Sequence, residues 1–184
     1  MEKLTLIANN HTTDKGTIHY EAHGYTEIYG AYVSENTQCK LLEIGVWHGD
    51  SIRMWNEYNS TIELYAIDID PSVYSYLKGN EQFNFYLGNQ SDESLLIKIL
   101  ADSNNDIDFV IDDGSHNHDD ILNSFRCLFP RMKAGSTYFI EDLHATHAEK
   151  ERLIANLFLE ISNSNIKLTQ CSFFCNGKLL MFKK

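Results

Sequence analysis

The chain has 184 residues, a length that fits one domain and leaves no room for a second core of ordinary size. Its 26 Asp and Glu residues outnumber its 15 Lys and Arg residues, and the formal net charge of −11 disfavours nucleic acid and anionic membranes as partners. No apolar run approaches the ~20 residues of a membrane span, and the opening segment lacks the pattern of a secretion signal, so we expect a cytoplasmic protein.

Hydrophobic patterning predicts an N-terminal helical segment or lid over residues 1–38, followed by alternating strands and helices over residues 39–184. The predicted strands are Lys40–Val46, Glu63–Ile69, Phe83–Leu87, Ile107–Ile111 and Thr137–Ile140. Helices are expected from Asp50, from Pro71, over Ser91–Leu100, over Asp119–Phe129 and around Leu153–Ile161. Acidic residues are expected to cap several of them, namely Asp50, Asp70 and either Asp119 or Asp120.

The last two β-rich runs, Ile166–Phe174 and Lys178–Phe182, flank Asn176-Gly177, a strong hairpin signal. Repeated strand–helix units that end in a hairpin predict an α/β fold with a mostly parallel sheet and helices on both faces. Ligands bind such sheets at the carboxyl ends of the strands, so the polar residues there are the candidates for function. The four cysteines lack zinc-site spacing and are predicted to be buried free thiols.

The first two strand ends have features of a nucleotide-type site. Gly45 and Gly49 flank the turn after the first strand, with Glu43 before them, but a lone glycine after a strand usually marks only a turn. Asp68 ends the second strand, where an acidic residue can accept hydrogen bonds from ribose hydroxyls.

The fourth and fifth strand ends bring together four carboxylates, those of Asp112, Asp113, Glu141 and Asp142. With no nearby Lys or Arg in the sequence these groups would repel one another, so the pattern predicts a bound cation such as Mg²⁺. His116 has the pKa range of a general base. In an alternative interpretation Asp112 and Asp113 only form turn hydrogen bonds, and His118, His144 and His147 are equally consistent with solvent-facing positions.

Three motifs resemble the metal-dependent sugar O-methyltransferases of macrolide biosynthesis, within the class I S-adenosylmethionine methyltransferases. These are Leu41-Leu-Glu-Ile-Gly-Val46, Ile107-Asp-Phe-Val-Ile-Asp-Asp-Gly-Ser-His116 and Tyr138-Phe-Ile-Glu-Asp142, with Thr13-Asp-Lys-Gly-Thr-Ile-His-Tyr20 upstream. The resemblance implies a Rossmann-like sheet of seven strands with an antiparallel C-terminal hairpin strand. It also implies S-adenosylmethionine and Mg²⁺ as cofactors.

The same resemblance implies roles for individual residues. Cofactor binding is assigned to Glu43, Gly45, Ser51, Asp68, Asn89, Gln90 and Asp112. Metal binding is assigned to Asp113, Glu141 and Asp142, the catalytic base to His116, and a lid over the substrate to Lys15, His19 and Tyr20. Gly30 stands where the family often has an acidic residue.

We therefore expect an O-methyltransferase that acts on a hydroxyl of a sugar, glycan or secondary metabolite, and that could form a homo-oligomer. Two alternatives stay open. One is a cephalosporin-hydroxylase-like enzyme on the same scaffold, because fold does not fix function. The other is a methyltransferase-like module that binds its ligand without turnover.

Overall fold

The computed structural model describes residues 2–78, 83–143 and 146–184, and the elements below lie within these ranges. The strands are β1 (Cys39–Ile44), β2 (Ile62–Asp68), β3 (Phe83–Leu87), β4 (Phe109–Asp112), β5 (Thr137–Ile140), β6 (Gln170–Phe174) and β7 (Leu179–Lys183). The helices are α1 (Lys3–His11), α2 (Tyr25–Tyr29), α3 (Asp50–Tyr58), α4 (Val73–Tyr76), α5 (Glu93–Asp102), α6 (His118–Leu128) and α7 (His147–Asn163).

The strands form one sheet in the order β3-β2-β1-β4-β5-β7-β6. Strands β1 to β5 are parallel, and β7 lies antiparallel between β5 and β6. The strand order reverses between β1 and β4, where Ile44 pairs with Asp112. The predicted fold class is therefore confirmed, and the reversal lies at the edge where ligands of such sheets bind.

Helices cover both faces of the sheet because the inner strands β1, β2, β4 and β5 bury side chains on both of their sides. One core contains Trp55 from α3 together with residues of α1, α2 and α4. The other contains Phe125 from α6 together with residues of α5 and α7. The N-terminal helices thus form part of one layer, with α1 packed against α3.

Three helix starts differ from the sequence prediction. Gly49, with φ of 78°, is the N-cap of α3, and Asp50 instead forms an ion pair of 2.7 Å with Arg53. The helix α4 begins at Val73 rather than at Pro71, because the Asp70 carboxylate accepts the amide of Ser72 and forms a turn before the helix.

The predicted caps of α6 are also wrong. Asn117 caps this helix, and its side chain accepts the amide of Asp119 at 2.9 Å. The carboxylate of Asp120 instead accepts the hydroxyls of Ser91 and Ser115. Asp120 thereby links the two loops that follow β3 and β4.

The hairpin of β6 and β7 forms as predicted, and Asn176 and Gly177 both adopt positive φ in its turn. The strand β6 begins at Gln170 rather than at Ile166. The four cysteines are free, but only Cys39 and Cys127 are buried, and the other two are half-buried. Within the described residues, no helix has the length and apolar character to cross a membrane.

Candidate active site

A cavity of about 460 Å³ opens at the carboxyl edge of the sheet, beside the strand-order reversal. Its walls come from the loops after β1, β2, β3, β4 and β5 and from the N-terminal loop, residues 12–24, which joins α1 to α2. Ten of the predicted site residues line it: Lys15, His19, Gly45, Ser51, Asp68, Asn89, Gln90, Asp113, His116 and Asp142. Its volume lies within the range of small-molecule pockets.

The loop after β1 follows the cavity wall closely. Gly45 has φ of 83°, and a Cβ at this position would lie 2.0 Å from the carbonyl oxygen of Asp113. The glycine is therefore required by the close approach of two strand-end loops as well as by its own conformation. The next two amides, of Val46 and Trp47, donate to Asp68 Oδ2 at 2.7 and 3.0 Å.

Asp68 joins the two strand ends that were predicted to hold a nucleotide. Besides the two amides at Oδ2, its Oδ1 accepts the amide of Asp70 at 2.9 Å. The carboxylate thus fixes the shape of the loops after β1 and β2 while lining the cavity. Its predicted role toward ribose hydroxyls stays a prediction.

Asp112, whose cofactor role stays a prediction, is 1 % exposed, and its oxygens have protein partners. It accepts hydrogen bonds from Gln90 Nε2, Ser124 Oγ and Tyr138 OH at 3.0, 2.7 and 2.8 Å. Burial raises the pKa of Asp112 to about 6, and the three donors oppose that shift. Asp112 thus supports Gln90, whose Oε1 accepts the amide of Ser115 at the cavity.

The acidic cluster, consisting of Glu43, Asp113, Glu141 and Asp142, contains a lysine that sequence reasoning did not place there. Lys15 Nζ contacts Asp113 Oδ2, lies 2.8 Å from Glu141 Oε2 and lies 3.7 Å from Glu43 Oε1. Since Lys15 is 2 % exposed, it is an internal partner of these carboxylates. The expectation that the carboxylates meet without a nearby Lys or Arg was wrong.

Burial dominates the electrostatics of this cluster. It raises the pKa of Glu43 to about 7 and the pKa values of Asp113 and Glu141 above their usual range, while Lys15 opposes each shift. Burial alone would lower the pKa of Lys15, but the surrounding carboxylates, led by Asp113 and Glu141, raise it well above its usual value. Lys15 is therefore an ammonium ion at neutral pH.

Two tyrosines of α2 complete the cluster. Tyr29 OH donates to Glu141 Oε1, and Tyr25 OH donates to Asp142 Oδ1 at 2.6 Å. Sequence reasoning missed both residues. The signal was their spacing of four residues, which places both hydroxyls on one face of a helix. His23, also missed, lies with Nε2 3.4 Å from Asp142 Oδ1.

His116 lies at the edge of the cluster, and its Nε2 is 4.0 Å from Asp113 Oδ1. One ligand atom each from Asp113, His116 and Asp142 can be chosen so that all three lie within 4.8 Å of one another. His116 and Asp142 have φ of 56° and 54°, and Trp47 of the same cavity has φ of 45°. Such strained conformations are typical of functional sites because surrounding contacts must maintain them.

The remaining predicted residues lie in different surroundings. Glu43 and Glu141 are buried beneath the cavity, whereas Tyr20 of the N-terminal loop is 87 % exposed. His118 is half-buried, and His147 is exposed with its Nε2 3.1 Å from Glu151 Oε1. His144 lies outside the described residues.

A family model described as a methyltransferase domain matches residues 42–143, more than half of the chain. The chain belongs to this methyltransferase family. The matched part of the methyltransferase domain runs from β1 to just beyond β5 and so contains the whole acidic cluster. The family resemblance predicted from the motifs is confirmed.

Curated relatives of this methyltransferase domain are longer proteins. Demethylmacrocin O-methyltransferase of Streptomyces fradiae is 31 % identical over 148 residues, which cover 76 % of this chain and 36 % of the relative. The 8-demethyl-8-alpha-L-rhamnosyl tetracenomycin-C 2'-O-methyltransferase of Streptomyces olivaceus is 32 % identical over 152 residues. These cover 78 % of this chain and 38 % of the relative. The chain thus spans little more than a third of the length of these relatives.

The fold of the methyltransferase domain matches a solved structure of MycE from the mycinamycin biosynthetic pathway, determined in complex with Mg and SAH. The TM-score is 0.78 at 24 % sequence identity, and the match covers 100 % of this chain and 53 % of MycE. At this identity the match establishes the class I methyltransferase fold.

Proposed function

We propose that this methyltransferase domain transfers a methyl group from S-adenosylmethionine to a hydroxyl of a sugar-containing acceptor, with Mg²⁺ bound by the acidic cluster. The observation that carries the proposal is the convergence of Asp113, His116 and Asp142 in the cavity that Gly45 and Asp68 also line. A hard-cation site and an imidazole beside a nucleotide-type site are the parts that a metal-dependent O-methyl transfer needs.

The donor set fits Mg²⁺, which prefers carboxylate oxygens and keeps some of its own water. Asp113 and Asp142 each offer a carboxylate oxygen, and the two oxygens lie within 4.8 Å of each other. We assign Glu141 as a third ligand. Its oxygens accept hydrogen bonds from Lys15 and Tyr29, and each carboxylate oxygen keeps a second lone pair for a cation.

The cavity also fits S-adenosylmethionine in size and in the placement of its polar groups. We assign the methionine side of the cofactor to Gly45 and Ser51, with Glu43 beneath them. Asp68 is assigned to the ribose, and Asn89 and Gln90 to the adenine side, since all three line the cavity. Asp112 acts through Gln90 in this assignment.

Bound S-adenosylmethionine would supply an electrophilic methyl group, and bound Mg²⁺ would orient the acceptor and lower the pKa of its hydroxyl. His116 is assigned as the base that would accept the proton of the acceptor hydroxyl when the methyl group is transferred to its oxygen. Its Nε2 lies 4.0 Å from Asp113 Oδ1, which places the imidazole beside the assigned metal ligands. Tyr25 and Tyr29 hold Asp142 and Glu141 in place.

A polar acceptor is supported by a second cavity of about 470 Å³, which shares His116 and Asp142 with the first. Its wall carries Asn117, Glu149 and Arg152. Each of these side chains has more than one hydrogen-bonding atom and can bind two neighbouring hydroxyl groups of a sugar. One relative is named for methylation at the 2' position of a rhamnosyl group. These observations favour a sugar hydroxyl as the acceptor.

The test is transfer of a labelled methyl group from S-adenosylmethionine to a panel of sugars, nucleotide sugars and glycosides, with Mg²⁺ and with EDTA. We expect transfer to at least one acceptor with Mg²⁺ and its loss with EDTA. Thermal shifts with S-adenosylmethionine, NAD and Mg²⁺ added separately complete the test. Stabilisation by NAD alone would contradict the proposal, and stabilisation by S-adenosylmethionine without a Mg²⁺ effect would indicate a binding module.

A further inference from the structure

The N-terminal loop inserts one long side chain into the interior of the site. Lys15 lies on no regular element, yet its side chain is 2 % exposed and reaches carboxylates of both β1 and the loops after β4 and β5. Backbone contacts fix this position, since Thr26 N donates to Lys15 O at 3.0 Å and His23 N donates to Asp14 O at 2.8 Å. The ammonium group is therefore a fixed part of the acidic cluster.

The charge of Lys15 offsets part of the charge of the cluster when no metal ion is bound. Glu43, Asp113 and Glu141 each lie within 4.0 Å of its Nζ. A buried carboxylate without a counter-charge is costly, and removal of one partner of a buried pair strongly destabilises a protein. The fold thus supplies a counter-charge to the cluster from its own chain.

Asp113 contacts this ammonium and is also one of the carboxylates assigned to the metal. Its Oδ2 contacts Lys15, whereas its Oδ1 lies 4.0 Å from Nε2 of His116, the assigned base. A divalent cation bound by Asp113 would therefore lie near a fixed positive charge within a buried site, where water screens charges poorly.

We propose that Lys15 is a positioning residue that holds Asp113 and Glu141 in place for the metal and, through its charge, weakens the binding of Mg²⁺. This inference rests on the proposed assignment of Mg²⁺ to the acidic cluster. In consequence the site is ordered before the ion arrives, and the ion exchanges more readily than it would from three carboxylates alone.

The experiment measures Mg²⁺ binding to the full chain by calorimetry for the wild type, Lys15→Met and Lys15→Gln. We expect the two neutral variants to bind Mg²⁺ at least tenfold more tightly and to melt at a lower temperature without metal. We also expect added Mg²⁺ to raise their melting temperatures more than that of the wild type. Lys15→Arg, which keeps the charge, should bind Mg²⁺ within about threefold of the wild type.

Lys40→Met is a matched control. Lys40 Nζ donates to Ser103 O at 2.9 Å and lies 3.4 Å from Glu63, so this variant also removes a partly buried lysine. Lys40 is near the start of β1, the end of the strand that lies away from the cluster. Its replacement should lower stability without changing the affinity for Mg²⁺.

The outcomes separate the two proposals. If the wild type binds Mg²⁺ and a folded neutral variant binds it equally or more weakly, Lys15 has only a structural role and this inference is wrong. If neither the wild type nor the variants bind Mg²⁺, the proposed metal site fails, and this inference fails with it. Lys15→Gln keeps a donor for Glu141, so it provides a folded test protein if Lys15→Met does not fold.

Discussion

Lys15 Nζ and Glu141 Oε2, from residues 126 positions apart, form an ion pair of 2.8 Å inside the protein. Both side chains are 2 % exposed, so water contributes little to their solvation. The pair joins the N-terminal loop to the end of β5 and so connects two regions that the sheet does not hydrogen-bond together. The site therefore includes a residue that lies well before the matched family region, which begins at Leu42.

The first prediction concerns Tyr29, whose hydroxyl donates to the buried Glu141 carboxylate. We expect Tyr29→Phe to lower the free energy of unfolding by about 1.5–3 kcal/mol, because a hydrogen bond to a charged group is lost. The matched control is Tyr58→Phe, which loses a bond of 2.9 Å to the neutral carbonyl of Val33 and should cost about 1 kcal/mol. Urea denaturation measures both losses. Equal losses would show that the hydrogen bond to Glu141 stabilises the protein no more than one to a neutral carbonyl.

The second prediction concerns His116 as the base. His116→Ala should lower the rate of methyl transfer by a factor of about 10²–10⁴, the usual contribution of a general base. The affinity for S-adenosylmethionine should stay within about threefold, measured by calorimetry. His147→Ala removes an exposed imidazole on α7 and should leave the rate unchanged. A His116→Ala variant with full activity would remove the proposed base.

The third prediction uses two glycines with the same backbone conformation and different surroundings. Gly45 and Gly135 have φ of 83° and 88°, but a Cβ at Gly45 would collide with Asp113 and Gly114, whereas nothing lies within 4 Å of one at Gly135. Gly135→Ala should lower the free energy of unfolding by about 1–2 kcal/mol because of its backbone conformation alone. Gly45→Ala should cost clearly more and weaken ligand binding, because the loop after β4 must move. Chemical denaturation compares the two, and similar losses would argue against the tight contact.

The fourth prediction concerns the pH dependence of stability without metal. Burial raises the pKa of Glu43 from its usual 4.5 to about 7. Between these values the folded protein holds a proton that the unfolded chain has lost, so its stability falls as the pH rises through this window and then levels off. Glu43→Gln cannot titrate at this position. The free energy of unfolding of the variant, relative to that of the wild type, should therefore rise by about 1–3 kcal/mol from pH 5 to pH 8.

Denaturation at a series of pH values measures this difference. Asp112, with a pKa raised to about 6, contributes a slope of the same sign to both proteins, and its effect cancels in the comparison. Glu151→Gln, at an exposed position on α7, should parallel the wild type. A constant difference between Glu43→Gln and the wild type at all pH values would show that Glu43 does not titrate in this window.

The sheet and its ligand-binding edge could be predicted from the sequence because they depend on local patterns. Strand and helix periodicity, the Asn176-Gly177 turn and the polar residues after each strand each use a few neighbouring residues. Asp113, His116 and Asp142 therefore fell into one cavity, as expected. Helix starts were less predictable, since Asp50 and Asp70 each had a competing partner, Arg53 and the Ser72 amide.

The interior partners of the site could not be predicted, because they depend on where distant segments come to lie. Nothing near Lys15 in the sequence indicates burial, and its carboxylate partners come from three different strand ends. Asp112 and Asp113 are adjacent in sequence, yet Asp112 accepts a hydrogen bond from Gln90 in the interior, whereas Asp113 lines the cavity. Only the register of β4 determines which of the two carboxylates is buried and which reaches the cavity.

The long sequence separation of the contacts that complete the site also predicts the order of folding. Lys15 meets residues 98 and 126 positions away, and Tyr25 meets Asp142 over 117 positions. Loop-closure entropy must be overcome before such contacts form, and chains dominated by them fold slowly. We therefore expect refolding to restore the sheet before the ligand-binding site. Substitutions at Lys15 should then speed unfolding while leaving the refolding rate almost unchanged.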